Sequence, residues 1–178
     1  MAKIINITDG QGTESVINGS YTVTATSTGY DSTTINPSSV NIVEGTNTYQ
    51  FTIAATGTLT LHVTEDGTTT GTPIVGATFI RTDSTGNTYG SAITTDSNGD
   101  AVFNNVPFDA TSAPTIYYKQ TASDGDHEFV NTVQSTTLTT STETIEIQNA
   151  PGATRTISLT DANYSNLPIG NATLTLTN

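Results

Sequence analysis

The chain has 178 residues, enough for one large domain or two small ones, and it contains no cysteine to form a disulfide or bind a metal. Its 16 acidic and 4 basic residues give a formal net charge of −12, which would repel a nucleic acid or an anionic membrane surface. Threonine is the commonest residue, with 41 copies, and its β-branched side chain favours strands that have one face in water. The composition therefore predicts an all-β protein without nucleic-acid or membrane partners.

Alternating apolar and polar residues predict strands from one end of the chain to the other. In chain order, the alternating segments are SYTVTAT (20–26), NTYQFTIA (47–54), TLTLHV (58–63), TETIEIQ (142–148) and NATLTLTN (171–178). Each would place one face on a core and the other in water. Clusters rich in glycine, asparagine and aspartate separate the segments, and none has the sustained 3.6-residue period of a helix. Short strands at this spacing predict a sandwich or barrel.

The sequence also contains an internal repeat in a shifted frame. Five pairs of segments align: 8–19 with 95–106, 20–31 with 115–126, 149–152 with 54–57, 157–162 with 61–66, and 168–178 with 73–83. The last pair, PIGNATLTLTN and PIVGATFIRTD, aligns over eleven residues without a gap. These pairs predict two immunoglobulin-like sandwich units in one chain.

The frame of the repeat divides the chain unequally. Residues 57–149 form one complete sandwich, whereas 1–56 carry the late strands of a repeat and 150–178 its early strands, so that the termini lie in a cut hairpin. Neither partial piece can close alone, because each has a one-sided apolar face and unpaired edges. Either 150–178 folds back onto 1–56 as a circularly permuted domain, or it completes the late strands of another copy. The high effective concentration of an intramolecular contact favours the first arrangement.

Three motifs follow one another in the complete unit: PIVGATF (73–79), TTDSNGDAVF (94–103) and NVP (105–107). In this order they resemble the Cna-B-type or carboxypeptidase-regulatory-like (prealbumin-like) sandwich. The resemblance covers 57–149 well and the divided copy more weakly. It implies an immunoglobulin-like fold, and it says little about function, because the family serves as stalks, adhesin modules and virion decorations alike.

Many Cna-B-type domains carry an intramolecular Lys–Asn isopeptide bond that a buried acid assists. The resemblance places the lysine on the opening strand, where this chain has His62, and it places the acid where this chain has Lys119 and Gln120. In the divided copy, Arg155 occupies the opening strand and cannot form the bond. The resemblance therefore implies no isopeptide bond.

Two loops and one strand carry residues with possible chemistry. Asp96, Asn98 and Asp100 alternate as in a calcium loop, but the later ligand positions are not met, and a plain β-turn at Asn-Gly explains the pattern better. Asp124, Asp126 and Glu128 flank His127 in an expected surface loop. His62 alternates out of phase with its apolar neighbours, and no nucleophile motif is present. We assign no catalytic, cofactor-binding or metal-binding residue, and we expect neither a cofactor nor an enzyme.

Tyrosine side chains offer a further possibility, because planar rings stack on sugar faces. Tyr117 and Tyr118 point to opposite faces of one strand, so at least one should lie in the core. Weak glycan binding remains open for the tyrosines as a group, which comprises Tyr30, Tyr49, Tyr89, Tyr117, Tyr118 and Tyr164.

Two structural roles remain open. The first is a bacteriophage virion protein, a capsid decoration or its close variant a tail protein, made in the host cytoplasm and bound to capsid or other virion proteins. It follows from a small cysteine-free sandwich, a starting segment MAKIINITDG without an export signal, and no catalytic constellation. The alternative is an extracellular adhesin stalk or pilin-like subunit on a bacterial surface, which self-associates through its terminal strands.

Overall fold

A computed structural model describes residues 2–153, 156–164 and 167–175, and every regular element in these residues is a β-strand. The strands are β1 (Gly19–Thr22), β2 (Tyr30–Asn36), β3 (Ser39–Ile42), β4 (Thr52–Thr64), β5 (Thr78–Thr82), β6 (Thr88–Thr94), β7 (Asp100–Pro107), β8 (Thr115–Ala122), β9 (Gln134–Thr137), β10 (Thr142–Gln148), β11 (Thr160–Asp161) and β12 (Leu167–Pro168). The predicted all-β class is confirmed. Within these residues the chain has no helix of the length and apolarity needed to span a bilayer.

Two sheets face each other in residues 57–149. In one sheet, β4 lies between antiparallel β7 and parallel β10; the other has the antiparallel order β6-β5-β8-β9. Alternation in β4 turns its apolar side chains inward, as the sequence predicts. The shared core consists of Leu59, Leu61, Val63, Ile74, Ala77, Phe79, Ala101, Phe103, Val106, Ile116, Tyr118 and Leu138.

The DSNGD segment forms the tight turn before β7. Asp96 accepts hydrogen bonds through Oδ1 from the backbone N–H groups of Asn98 (2.8 Å) and Asp100 (3.1 Å). Gly99 has a φ of 81°, and a Cβ there would lie 2.5 Å from the carbonyl oxygen of Val63. Only glycine fits this close approach of the turn to β4, because any side chain would be both strained and in contact with backbone.

The residues before the central sandwich form two smaller ladders. β1 pairs with β3 in an antiparallel ladder, and β2 pairs with the first part of β4. β4 itself runs unbroken from 52 to 64, so the expected boundary between 56 and 57 lies inside one strand. No described residue from 2 to 55 is buried. This region therefore has strands but no core of its own.

The residues after β10 are also without a core. β11 and β12 form a ladder of two residue pairs, and no described residue from 150 to 175 is buried. The strand predicted at 171–178 does not form in its described part, 171–175, and the rest of it lies outside the described residues, as does Arg155. An isolated two-stranded hairpin is marginal in water, which explains the missing strand: it has no sheet to join.

Candidate assembly surface

The residues considered for catalysis or calcium binding are engaged in structural contacts. Asp96 uses its carboxylate to hold the turn, and these backbone hydrogen bonds, from Asp100 and Asn98 in that order, lower the pKa of Asp96. The next acid, Asp100, lies with Oδ1 2.6 Å from Nδ1 of His62 on the outer face of the sheet. Among the residues described, no group of histidine, aspartate and glutamate has an arrangement that could hold a metal.

His127 joins three segments of the chain. Its Nδ1 lies 2.8 Å from Asp124 Oδ2 and its Nε2 lies 3.3 Å from Glu65 Oε1, in the loop that follows β4. Burial alone would lower the pKa of His127, but hydrogen bonds and charge from Asp124 and Glu65 outweigh it and raise the pKa above 6.5. The flanking acids Asp126 and Glu128 contribute backbone hydrogen bonds to the residues just after β10. We call the contacts among Glu65, residues 124–128 and residues 150–152 the exit clasp.

Replacing His127 by glutamine should lower the melting temperature more at about pH 5.5 than at about pH 8.5. The pKa of His127 is higher in the folded than in the unfolded protein, so its protonated ring stabilises the fold fully below the unfolded pKa of 6.5. This stabilisation is lost as the pH rises through the folded pKa. We expect less than about 1 kcal/mol, because the carboxylates of Asp124 and Glu65 are still partly open to solvent, which screens the ion pairs. Thermal unfolding of both proteins at the two pH values measures the difference. An equal loss at both values would contradict an ionic role for the ring.

One buried polar residue was not identified from the sequence. Asn149, at the end of β10, is fully buried; its N–H donates to the carbonyl of Thr64 at 3.0 Å and its Nδ2 to Ser123 Oγ at 3.4 Å. Its Oδ1 has no hydrogen-bond partner among the described residues. Thr64 ends the opening strand and Ser123 follows β8, so the hydrogen bonds of Asn149 link the two sheets.

Exposed apolar side chains are concentrated outside the central sandwich. Of the large apolar side chains exposed in the described residues, only Val75, Tyr89 and Val130 lie in 57–149. Eight precede it, namely Ile4, Ile5, Ile7, Ile17, Tyr30, Val43, Tyr49 and Phe51, and six follow it, namely Ile157, Leu159, Tyr164, Leu167, Ile169 and Leu174. Clusters of exposed apolar residues of this kind mark interaction surfaces or aggregation-prone faces.

The early part of the chain presents one apolar face and one open edge. Along β1 and its continuation, Tyr21, Val23 and Ala25 are half-buried and alternate with exposed threonines. The ladder to β3 is extended by a hydrogen bond from Val23 N–H to Ser38 O, at 2.8 Å. On its other side, β1 has no backbone partner among the residues described. We call this side of residues 19–25 the acceptor edge.

The late part of the chain presents an apolar groove. It has a volume of about 370 Å³ and is lined by Ile157, Leu159, Ile169, Ala172 and Leu174. The groove is open to solvent, and Leu174 is 53% exposed. Burying a leucine or isoleucine side chain fully contributes about 1.5–3 kcal/mol. We call residues 168–175 the donor segment.

The pairing of β4 with β10 separates these two surfaces. The two strands are parallel, with Thr58 opposite Thr142 and Thr64 opposite Gln148. The chain therefore enters the central sandwich at one end and leaves it at the other, roughly 20 Å away at about 3.3 Å per residue. At the exit, Ala150 O accepts from Glu128 N–H and Gly152 N–H donates to Asp126 O, each at 2.8 Å.

No protein-family model and no curated protein matches the sequence. Solved structures with a similar fold include the minor pilin GBS52 of Streptococcus agalactiae, with 16% identity and a TM-score of 0.47 over 82% of this chain and 66% of that one. The Bacillus anthracis TIE protein has 16% identity and a TM-score of 0.45 over 64% of this chain and 20% of its own. BcpA, the major pilin subunit of Bacillus cereus, has 17% identity and a TM-score of 0.45 over 58% and 32%. The chain thus spans only part of each of these proteins.

Proposed function

We propose that this chain is a non-catalytic structural subunit that assembles head to tail with further copies of itself. The observation that carries the proposal is that the central sandwich has a closed core, whereas 2–55 and 150–175 have apolar faces and no buried residue among those described. The repeat makes these two parts complementary halves of one sandwich. Each half therefore needs the other, from whichever copy can supply it.

The short chain segment after the central sandwich limits how the late half can fold onto the early half of the same copy. The exit clasp holds residues 150–152 at the end of the sandwich opposite to the entry of β4. Only four residues, 153–156, then lead to segment 157–162, which repeats 61–66, and four extended residues span at most about 13 Å, against the roughly 20 Å length of the sandwich. We therefore expect the late half to meet the early half of another copy. A repeated contact of this heterologous kind produces an open filament.

This geometry fits the pilin-like alternative better than a capsid decoration. A decoration protein needs one end that docks on the shell, whereas this chain offers two different ends that complement each other. The pilin-like role also explains why both apolar surfaces are so exposed in a single copy. Apolar surface and open strand edges cost free energy in water and are removed by pairing.

Light-scattering mass of the purified intact chain, measured over a wide range of concentration, tests the proposal. We expect the mass to rise through multiples of the 18.5 kDa subunit as concentration increases. A constant subunit mass at every concentration, with residues 1–56 resistant to protease, would instead show closure within the chain and refute the head-to-tail assembly. Electron microscopy of the largest species should show unbranched filaments.

A further inference from the structure

We infer that the acceptor edge takes the donor segment of a second copy as an added antiparallel strand, in the register that β5 has on β8. This inference rests on the proposed head-to-tail assembly and specifies the contact that would produce it. It follows from three properties of the chain: a ladder that is repeated, an edge that is open, and a segment whose sequence matches the strand missing from that edge.

The repeated ladder is the antiparallel pair of β1 and β3. In the complete unit, β8 pairs with β9 over four residue pairs, with Thr115 opposite Thr137. In the early part of the chain, β1 pairs with β3 over four residue pairs, with Ser20 opposite Asn41. The sequence repeat aligns Ser20 with Thr115, an offset of 95 residues. β1 therefore has the structural position of β8, and β3 has that of β9.

The open edge is the one that β5 occupies in the complete unit. β8 carries β5 on the side away from β9, with Phe79 opposite Gln120 and Ile80 opposite Lys119. The equivalent side of β1 is the acceptor edge. The donor segment repeats residues 73–80, the start of β5 and the residues before it, with the same offset of 95, so that Leu174 corresponds to Phe79. The donor segment is therefore the strand that this edge lacks.

The repeat also fixes the register. Transferring the β5–β8 pairs places Leu174 opposite Ala25 and Thr175 opposite Thr24. Leu174 then joins the half-buried face that Tyr21 and Val23 already form, and the two threonines point to solvent. A shift by one residue would turn Leu174 outward, because successive side chains of a strand lie on opposite faces. The apolar faces of donor and acceptor are thus in phase in this register.

The absence of cysteine from the chain makes a disulfide test direct. One protein carries Thr24→Cys and a second carries Thr175→Cys, and the two are mixed under mild oxidation. We expect a covalent dimer of the two variants. Matched partners are Thr22→Cys and Thr26→Cys, which lie on the same outward face but are shifted by about 7 Å, beyond disulfide reach. They should cross-link to Thr175→Cys at least about tenfold more slowly.

The doubly substituted Ile80→Cys/Lys119→Cys protein is the positive control, because it places the same pair within the complete unit. Assembly without a preference for Thr24→Cys would overturn the register and leave the proposed function in place. A chain that neither assembles nor cross-links would overturn both. A Thr24→Cys/Thr175→Cys protein that closes its bond inside dilute monomers would overturn the pairing between copies.

Discussion

A chain shortened by residues 168–178 should stay monomeric at concentrations at which the intact chain assembles. The deletion removes the donor segment, including Leu174, whose exposed side chain would otherwise be buried against the acceptor edge. It does not touch the core of 57–149. Sedimentation velocity measures the loss of assembly, and circular dichroism with thermal unfolding verifies that the central sandwich remains folded. Assemblies of undiminished size would contradict the role of the donor segment.

The shortened chain still has its acceptor edge, so it should also end growing assemblies when it is mixed with the intact chain. A second variant, Val23→Asp, blocks the acceptor by placing a charge on its apolar face, where burial of an unpaired carboxylate is costly. Mixing it with the shortened chain should give a discrete 1:1 dimer, because only one donor and one acceptor remain. Thr28→Asp is the control: it adds the same charge in the exposed turn outside the acceptor edge and should assemble like the intact chain.

Elements whose partners lie nearby in the same unit were predictable from the sequence. The alternation in TLTLHV identifies Leu59, Leu61 and Val63 as inward residues, and all three are fully buried. Tyr118 is buried while Tyr117 is not, as expected for neighbours on one strand. These predictions succeed because the alternation of side chains along a strand depends only on neighbouring residues, and the sandwich buries the apolar face of each strand.

Elements that depend on a distant partner were not predictable in this way. β2 (Tyr30–Asn36) has little apolar alternation, and it forms because β4 continues beyond the central sandwich and offers its backbone. The alternation at 171–175 is clear, yet no strand forms there. To form, a strand needs a neighbouring strand for backbone hydrogen bonds as well as an alternating sequence.

The parallel pairing of β10 with β4 also leaves no local mark on the sequence. It determines that the two incomplete halves leave the central sandwich at opposite ends. The exit clasp is similar, since His127 contacts Glu65 across 62 positions of sequence. The repeat predicts a division into complete and incomplete units, whereas the direction in which the chain enters and leaves the central sandwich follows from the sheet topology.

Replacing Phe79 by alanine should cost the central sandwich about 3–5 kcal/mol of unfolding free energy, the range for a large aromatic residue removed from a core. Phe79 is 1% exposed and packs edge-on against Tyr118, with ring centroids 6.5 Å apart. Small domains are stable by only about 5–15 kcal/mol, so the substitution should remove a large part of the total. Urea unfolding, followed by circular dichroism, measures the shift in midpoint.

Leu174→Ala is the informative comparison, because Leu174 occupies in the donor segment the place that Phe79 has in the complete unit. In a dilute monomer this side chain is already exposed, so its loss should change the unfolding midpoint by less than about 0.5 kcal/mol in equivalent free energy. Its effect should be seen instead as weaker assembly. Two equivalent positions would then report separately on the fold and on the contact between copies. A comparable loss of stability from both substitutions would mean that Leu174 packs within its own chain.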